Sequence, residues 1–194
     1  QLMRMEYNGG AGGIGVPVEG ASDPGGLYYY PAITPDSEWI VFNKQGDVSP
    51  DVQVACKIGD GPIGESGSYN NCHSEVWIVP ADGGQAIRMD KANGPVGAGL
   101  TNSWPSVGPE TPGDRHWIAF SSYRPYGHKL NADEMPLTPI PLDKADSIPQ
   151  IWIVSIDPTK AEEGIDPSSA PVWLPNQDMT GGNHLGQWSA RKDD

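Results

Sequence analysis

Positive charge is scarce in this chain. Twelve Lys and Arg stand against 25 Asp and Glu, a net charge of -13 over 194 residues. A surface that meets phosphates needs a basic stripe, so the balance argues against nucleic acid as a partner, and against an anionic membrane surface as well. Long apolar runs are missing too. No stretch of about 18 consecutive apolar residues exists, so membrane insertion by a helix is not expected. Cysteine is nearly absent, with Cys56 and Cys72 alone. The chain opens on Gln1 with no basic segment followed by an apolar one, so a processed product or a fragment is expected rather than a primary translation product.

What is abundant is punctuation. The 25 Gly and 20 Pro among 194 residues are too many for long helices and predict short strands joined by turns. Hydrophobic residues make up 37 % and include seven Trp, enough for a core, which argues against wholesale disorder. Cys56 and Cys72 flank a polar loop, Lys57 to Asn71, holding four Gly and a Pro. A bridge between them would remove roughly 3 kcal/mol of unfolded-state entropy in the chain-entropy model, and a long loop gains most from such a staple. The disulfide is the expected reading and implies an oxidising, periplasmic or extracellular compartment; two free thiols in a cytosolic protein are the alternative.

Internal repetition is the most informative signal. Glu38-Trp39-Ile40-Val41-Phe42 recurs as His116-Trp117-Ile118-Ala119-Phe120, a step of 78 residues. Glu75-Val76-Trp77-Ile78-Val79 recurs as Gln150-Ile151-Trp152-Ile153-Val154, a step of 75. Upstream, Tyr30-Pro31 recurs as Trp104-Pro105, a step of 74. The runs are rich in Trp, Ile, Val and Phe and are bounded by turn residues, so they predict strands. Thr34-Pro35-Asp36-Ser37 predicts a turn between Leu27–Ile33 and Glu38–Lys44, and its counterpart, Gly108 to Arg115, is longer. Ala81-Asp82-Gly83-Gly84 predicts a hairpin between Glu75–Pro80 and Ala86–Met89. Continuous apolar character predicts strands covered on both faces. Leu2 to Gly10 reads as a strand and its hairpin, Ala11 to Gly26 as a Gly-rich link, Asp157 to Lys160 as the second repeat's hairpin, and Ala170 to Pro175 as its fourth strand. Asn183 to Trp188 reads as one more strand. No helix of ordinary length is predicted; Lys160 to Gly164 is at most one turn.

The first repeat, Pro31-Ala32-Ile33-Thr34-Pro35-Asp36-Ser37-Glu38-Trp39-Ile40-Val41-Phe42, followed by Trp77-Ile78 and Asp82-Gly83-Gly84, resembles the WD40-like propeller repeats of the TolB family. Ser37 stands where that pattern has Gly, and Thr34 where it has Ser. The resemblance covers roughly residues 27–157 without the insertions, and it speaks to fold more than to function. It implies an all-β chain of propeller-like four-stranded blades in an incomplete ring: about two full blades plus partial ones, with long loop insertions. The division is then residues 1–26, the end of a preceding blade and the link; 27–92, a blade with insertion 45–74; 100–175, a blade with insertion 124–149; and 176–194, a closing segment and tail. Trp39, Trp77, Trp104, Trp117 and Trp152 repeat with the strands and are expected in the core or between blades. A small open β-sheet protein is the alternative.

Catalytic chemistry finds little support. Gly64-Glu65-Ser66-Gly67-Ser68 misses the last Gly of a nucleophile elbow and lies in a loop. The four His, His73, His116, His128 and His184, have no zinc-site spacing. Cys72-His73 lacks the first Cys of a haem-attachment motif, because position 69 is Tyr. No catalytic residue and no firm cofactor follow. Calcium is a weak possibility at Asp47, Asp51, Asp60 and Glu65 on the first insertion, with Asp157, Asp166 and Asp178 near the end, although solvated acids are the simpler reading. The insertions are the better functional candidates. Pro136-Leu137-Thr138-Pro139-Ile140-Pro141-Leu142 is extended and apolar, and Pro136, Leu137 and Ile140 are expected to contact a neighbour. Trp173 and Trp188, outside the clear repeats, are candidate partner anchors. The expected function is non-catalytic protein–protein binding or scaffolding, with the rest of the ring or other chains as partners. The alternatives are a propeller accessory to an enzyme whose active site lies elsewhere, and a calcium-dependent surface or carbohydrate-binding module.

Overall fold

The computed structural model describes residues 1–46, 71–111, 113, 115–124, 149–178 and 182–189. Twelve short elements follow one another: β1 (Met3–Arg4), β2 (Val16–Pro17), β3 (Tyr28–Ile33), β4 (Trp39–Gln45), β5 (Ser74–Pro80), β6 (Ile87–Arg88), α1 (Asp90–Asn93), β7 (Ser103–Val107), β8 (His116–Ser122), β9 (Gln150–Ile156), α2 (Pro158–Glu162) and β10 (Val172–Trp173). They form three antiparallel sheets: the ribbon β1-β2 and two four-stranded meanders, β3-β4-β5-β6 and β7-β8-β9-β10. The all-β expectation holds, and none of the described sheets closes into a barrel.

Turn chemistry sets the first meander. Thr34 turns the chain: Ser37 N donates to Thr34 O at 2.8 Å and Thr34 N to Trp39 O at 2.9 Å. Ser37 takes φ 64°, the left-handed region where a Cβ is strained and Gly is favoured. Gly83 takes φ 91° and its N–H closes onto Pro80 O at 2.9 Å, so the hairpin between β5 and β6 falls where the Asp-Gly pair predicts it.

The two meanders stack in the same sense. In the first, Ile40, Phe42, Trp77 and Val79 face rearward against Leu2, Val18 and Ala21. Trp39, Val41, Val76, Ile78 and Ile87 face forward, where they meet Ile118, Phe120, Trp152, Val154 and Ile156 of the second. Cross-strand register accounts for this. Val41 pairs with Ile78 and Phe42 with Trp77, while Ala119 pairs with Ile153 and Phe120 with Trp152. Equivalent residues therefore lie on equivalent faces, and the forward face of one sheet packs on the rear face of the next. A two-fold sandwich would instead bury the same residues from both sheets. The first strands lie close: β7 runs against β3, β4 and β5.

Buried amides lock this junction. Asn43 Nδ2 donates to Glu75 O and Asn102 O, each at 3.0 Å, and Asn43 Oδ1 accepts Trp104 N at 2.8 Å. Asn93 Oδ1 accepts Val76 N and Asn93 Nδ2 donates to Val76 O, both at 2.7 Å. One side chain thus satisfies both backbone groups of Val76, as a neighbouring strand would. Arg124 enters the same junction. It lies over the Phe120 and Trp152 rings at 5.2 Å and donates to Asn102 Oδ1 at 2.6 Å. Burial lowers its guanidinium to about 10.

Five expectations need correction. Leu2 to Gly10 is not a blade strand with its hairpin: only Met3–Arg4 pairs, with Val16–Pro17, and Asn8–Gly10 is a 3-10 turn. The Gly-rich segment is more than a link, because it carries β2, and Val18 and Ala21 cap the first sheet. Asp157 to Lys160 is not a hairpin. Without a Gly pair, Pro158 opens the short helix α2, and the chain returns to β9 first at Ser168, which bridges Ile156, and then at β10. Asn183 to Trp188 forms no assigned strand. Trp117 is not in the core: it is 40 % exposed, whereas Trp39 and Trp152 are buried. A short helix at Asp90–Asn93, not predicted, follows β6.

Candidate functional site

A cleft opens where the first strands of the two meanders meet. Each carries a bulge, between Tyr29 and Ala32 in β3 and between Ser103 and Ser106 in β7. Both bulges sit at the repeated aromatic-Pro step. Proline lacks a ladder donor and interrupts the pairing there, and the residues before it, Tyr30 and Trp104, take φ 50° and 59°. Left-handed backbone at a bulky residue costs about 1–2 kcal/mol, so the surroundings must impose it. At Trp104 the Asn43 amide does so by accepting the backbone N–H.

The strain turns both rings to the same side, with centroids 4.8 Å apart and planes tilted by 32°. Tyr30, Pro31, Trp104, Pro105, Leu185 and Gln187 line a cavity of about 280 Å³. Its far wall is the segment after residue 182, held by Ser106 Oγ donating to Gly186 O at 2.6 Å and Trp188 Nε1 to Ser106 O at 3.2 Å. Among the described residues no carboxylate, imidazole, amine or thiol lines the cleft. Its chemistry is contact by aromatic and proline faces, which suits an extended peptide edge or an apolar side chain.

A second cavity of about 290 Å³, at the ends of the sheets, holds the polar groups. His116 Nε2 meets Asp36 Oδ2 at 2.7 Å, tying the β3–β4 turn to β8. Partial desolvation pushes the Asp36 carboxyl up. Hydrogen bonds from Thr34 Oγ1 and Glu38 N, and the nearby His116, outweigh it, so Asp36 titrates below its ordinary value. Arg115 pairs with Asp157 at 3.2 Å across the same rim. Asp166 is occupied by Ser168 and by the backbone N–H of Lys91 at 3.0 Å. Among the described residues no group of three or more His, Cys, Asp or Glu is placed to hold a metal ion.

The sequence-predicted positions scatter. Asp47, Asp51, Asp60 and Glu65, together with Cys56, lie outside the described residues, as do Pro136, Leu137 and Ile140. Cys72 is buried, and no described cysteine is a free thiol. Trp173 is half-buried and packs on the core between the sheets. Trp188 borders the cleft. The aromatic-Pro repeat was legible in the sequence as spacing, but nothing there showed that the two rings meet. Leu185 and Gly186 were missed because neither an aromatic residue nor a proline marks them. No protein-family model matches the chain, and neither a curated protein nor a solved structure matches it.

Proposed function

We propose that the chain is a non-catalytic protein-binding module, two blades of a TolB-like propeller array serving as a scaffold in a periplasmic or extracellular assembly. The observation that carries this reading is the same-sense stacking of two equivalent four-stranded meanders whose first strands gather Tyr30 and Trp104 at one cleft. Stacked repeats create a continuous surface along their first strands, and repeat proteins bind partners on such surfaces. The cleft is lined mainly by aromatic, proline and aliphatic faces, as a recognition groove is, and among its described lining residues there is no carboxylate or imidazole to activate the Ser106 hydroxyl. The acid excess keeps such a module soluble and favours a partner face of neutral or positive charge.

The test is photo-crosslinking from the cleft rim. A photoreactive residue at Gln187 is expected to give discrete protein adducts in an extract of the native source, and the same residue at Glu162, exposed and outside the cleft, is expected to give none. Equal labelling from both positions overturns the reading.

A further inference from the structure

Residues 183–188 repeat the geometry of β7 although they form no assigned strand. Asn102 N donates to Ser74 O at 3.1 Å as the chain enters β7, and Asn183 N donates to Pro149 O at 2.8 Å. Ser74 and Pro149 are equivalent positions, each directly before a paired third strand residue, Glu75 and Gln150. Two residues beyond each Asn the backbone turns left-handed, at Trp104 with φ 59° and at Leu185 with φ 53°. The next residue is Pro105 in one case and Gly186 in the other. β7 crosses β4 and β5. Gly186 lies flush on Ala119 and Ile151, on β8 and β9: a Cβ there would stand 3.1 Å from one and 3.3 Å from the other. Tyr30, Trp104 and Leu185 all line the one cleft.

The face on which this segment lies is also unfinished. Trp39 and Ile87 on the forward face of the first sheet are 6 % and 8 % exposed, because the second sheet covers them. Their equivalents on the second sheet, Trp117 and Val172, are 40 % and 65 % exposed. Ile153 between them, paired with Val172, is half-buried.

We infer that residues 183–188 are the first strand of a third four-stranded sheet, and that the strip Trp117–Ile153–Val172 is the seat for that sheet's rear face. The occupant continues an interface already present in the molecule. It presents an aliphatic and an aromatic residue two positions apart on its second strand, as Ile118 and Phe120 do against the first sheet. A second copy of this chain is the wrong partner: the rear face of its first sheet is capped by Leu2, Val18 and Ala21, and that of its second is covered by the first. The inference rests on the repeat-array reading above and names what that array adds next.

The experiment extends the chain so that residue 189 is followed by a second copy of residues 108–189. The added sheet is expected to slow N-bromosuccinimide oxidation of Trp117 and amide exchange of residues 185–188 by about tenfold each. Unchanged rates at both places overturn the inference, whether or not the added copy folds. Trp117→Lys provides the second arm. It is expected to leave the thermal midpoint of the 194-residue chain unchanged and to abolish the protection of residues 185–188 in the extended chain. Protection that survives Trp117→Lys also overturns it. Crosslinking from Gln187 reads partner capture at the cleft independently, so failure of the binding function and failure of the third sheet give different patterns.

Discussion

Tyr30 and Trp104, 74 positions apart in the chain, hold their ring centroids 4.8 Å apart, and each adopts a left-handed backbone directly before a proline. The contact joins the first strands of the two meanders. A double-mutant cycle with Tyr30→Ala and Trp104→Ala, read by urea unfolding, is expected to give a coupling of about 1 kcal/mol. Strict additivity would show that the rings are neighbours without interacting.

Ser37 offers a gain. Its φ of 64° is strained for a residue with a Cβ, and its backbone N–H is already bonded to Thr34 O. Ser37→Gly removes the strain and loosens the unfolded chain, and the first effect is the larger. The variant is expected to be about 0.5–1 kcal/mol more stable in chemical denaturation. A less stable variant would mean that the Ser37 side chain contributes more than the strain costs.

Trp39 and Trp117 occupy equivalent places with opposite outcomes. Trp39→Ala empties a site between packed sheets and is expected to cost about 3–5 kcal/mol. Trp117→Ala acts on a side chain in water and is expected to cost less than about 1 kcal/mol. Equal losses in unfolding free energy would contradict the packing described for the second sheet.

Asn93 bonds both backbone groups of Val76 and also accepts Asn102 Nδ2 at 3.3 Å. Asn93→Leu keeps the volume but leaves the buried Val76 N–H without its partner, at about 1–3 kcal/mol. Amide exchange at Val76 is the specific readout. It is expected to accelerate more than that of Ile118, on the other sheet.

Acid titrates the β3–β4 turn that contacts the second sheet. Asp36 has a folded pKa below its unfolded value, so its contribution is present above the unfolded value and is lost as pH falls through the lowered one. The thermal midpoint is expected to drop as pH falls below about 4, and less so in Asp36→Asn. The pair with His116 is partly solvated, so the effect is small and weakens with salt. Identical profiles for both proteins would remove Asp36 from the account.

Thiol counting addresses the expected bridge. Denatured, unreduced protein is expected to take up no alkylating agent at Cys56 or Cys72 and to do so at both after reduction. Labelling of either residue without reduction rules the bridge out.

Much of the fold was legible because strands and tight turns are written locally. Trp-Ile-Val-Phe and Val-Trp-Ile-Val runs marked β4 and β5, Trp-Ile-Ala-Phe and Ile-Trp-Ile-Val runs marked β8 and β9, and Asp82-Gly83 marked a hairpin whose backbone needs φ above zero. The spacing of Tyr30-Pro31 and Trp104-Pro105 announced a repeat. The failures lay where local sequence is silent or ambiguous. Met3 pairs with Pro17 and Arg4 with Val16 over an intervening Gly-rich stretch with no periodicity to announce it. Pro158 and Thr159 suit a turn or a first helical turn equally well, and the longer return to Ser168 decided for the helix.

The sequence by itself determined the alternation of short strands and turns, the duplication and the acidic surface, because each is a property of residue order and composition. Only the tertiary structure decided which face each repeated residue meets. Side-chain direction alternates along a strand, so Phe42 and Phe120 point the same way in their own sheets, but what lies in front of them depends on the stacking. Stacking in one sense buries Trp39 and leaves Trp117 open, and it brings Tyr30, Trp104 and Leu185 to one cleft from three distant parts of the chain.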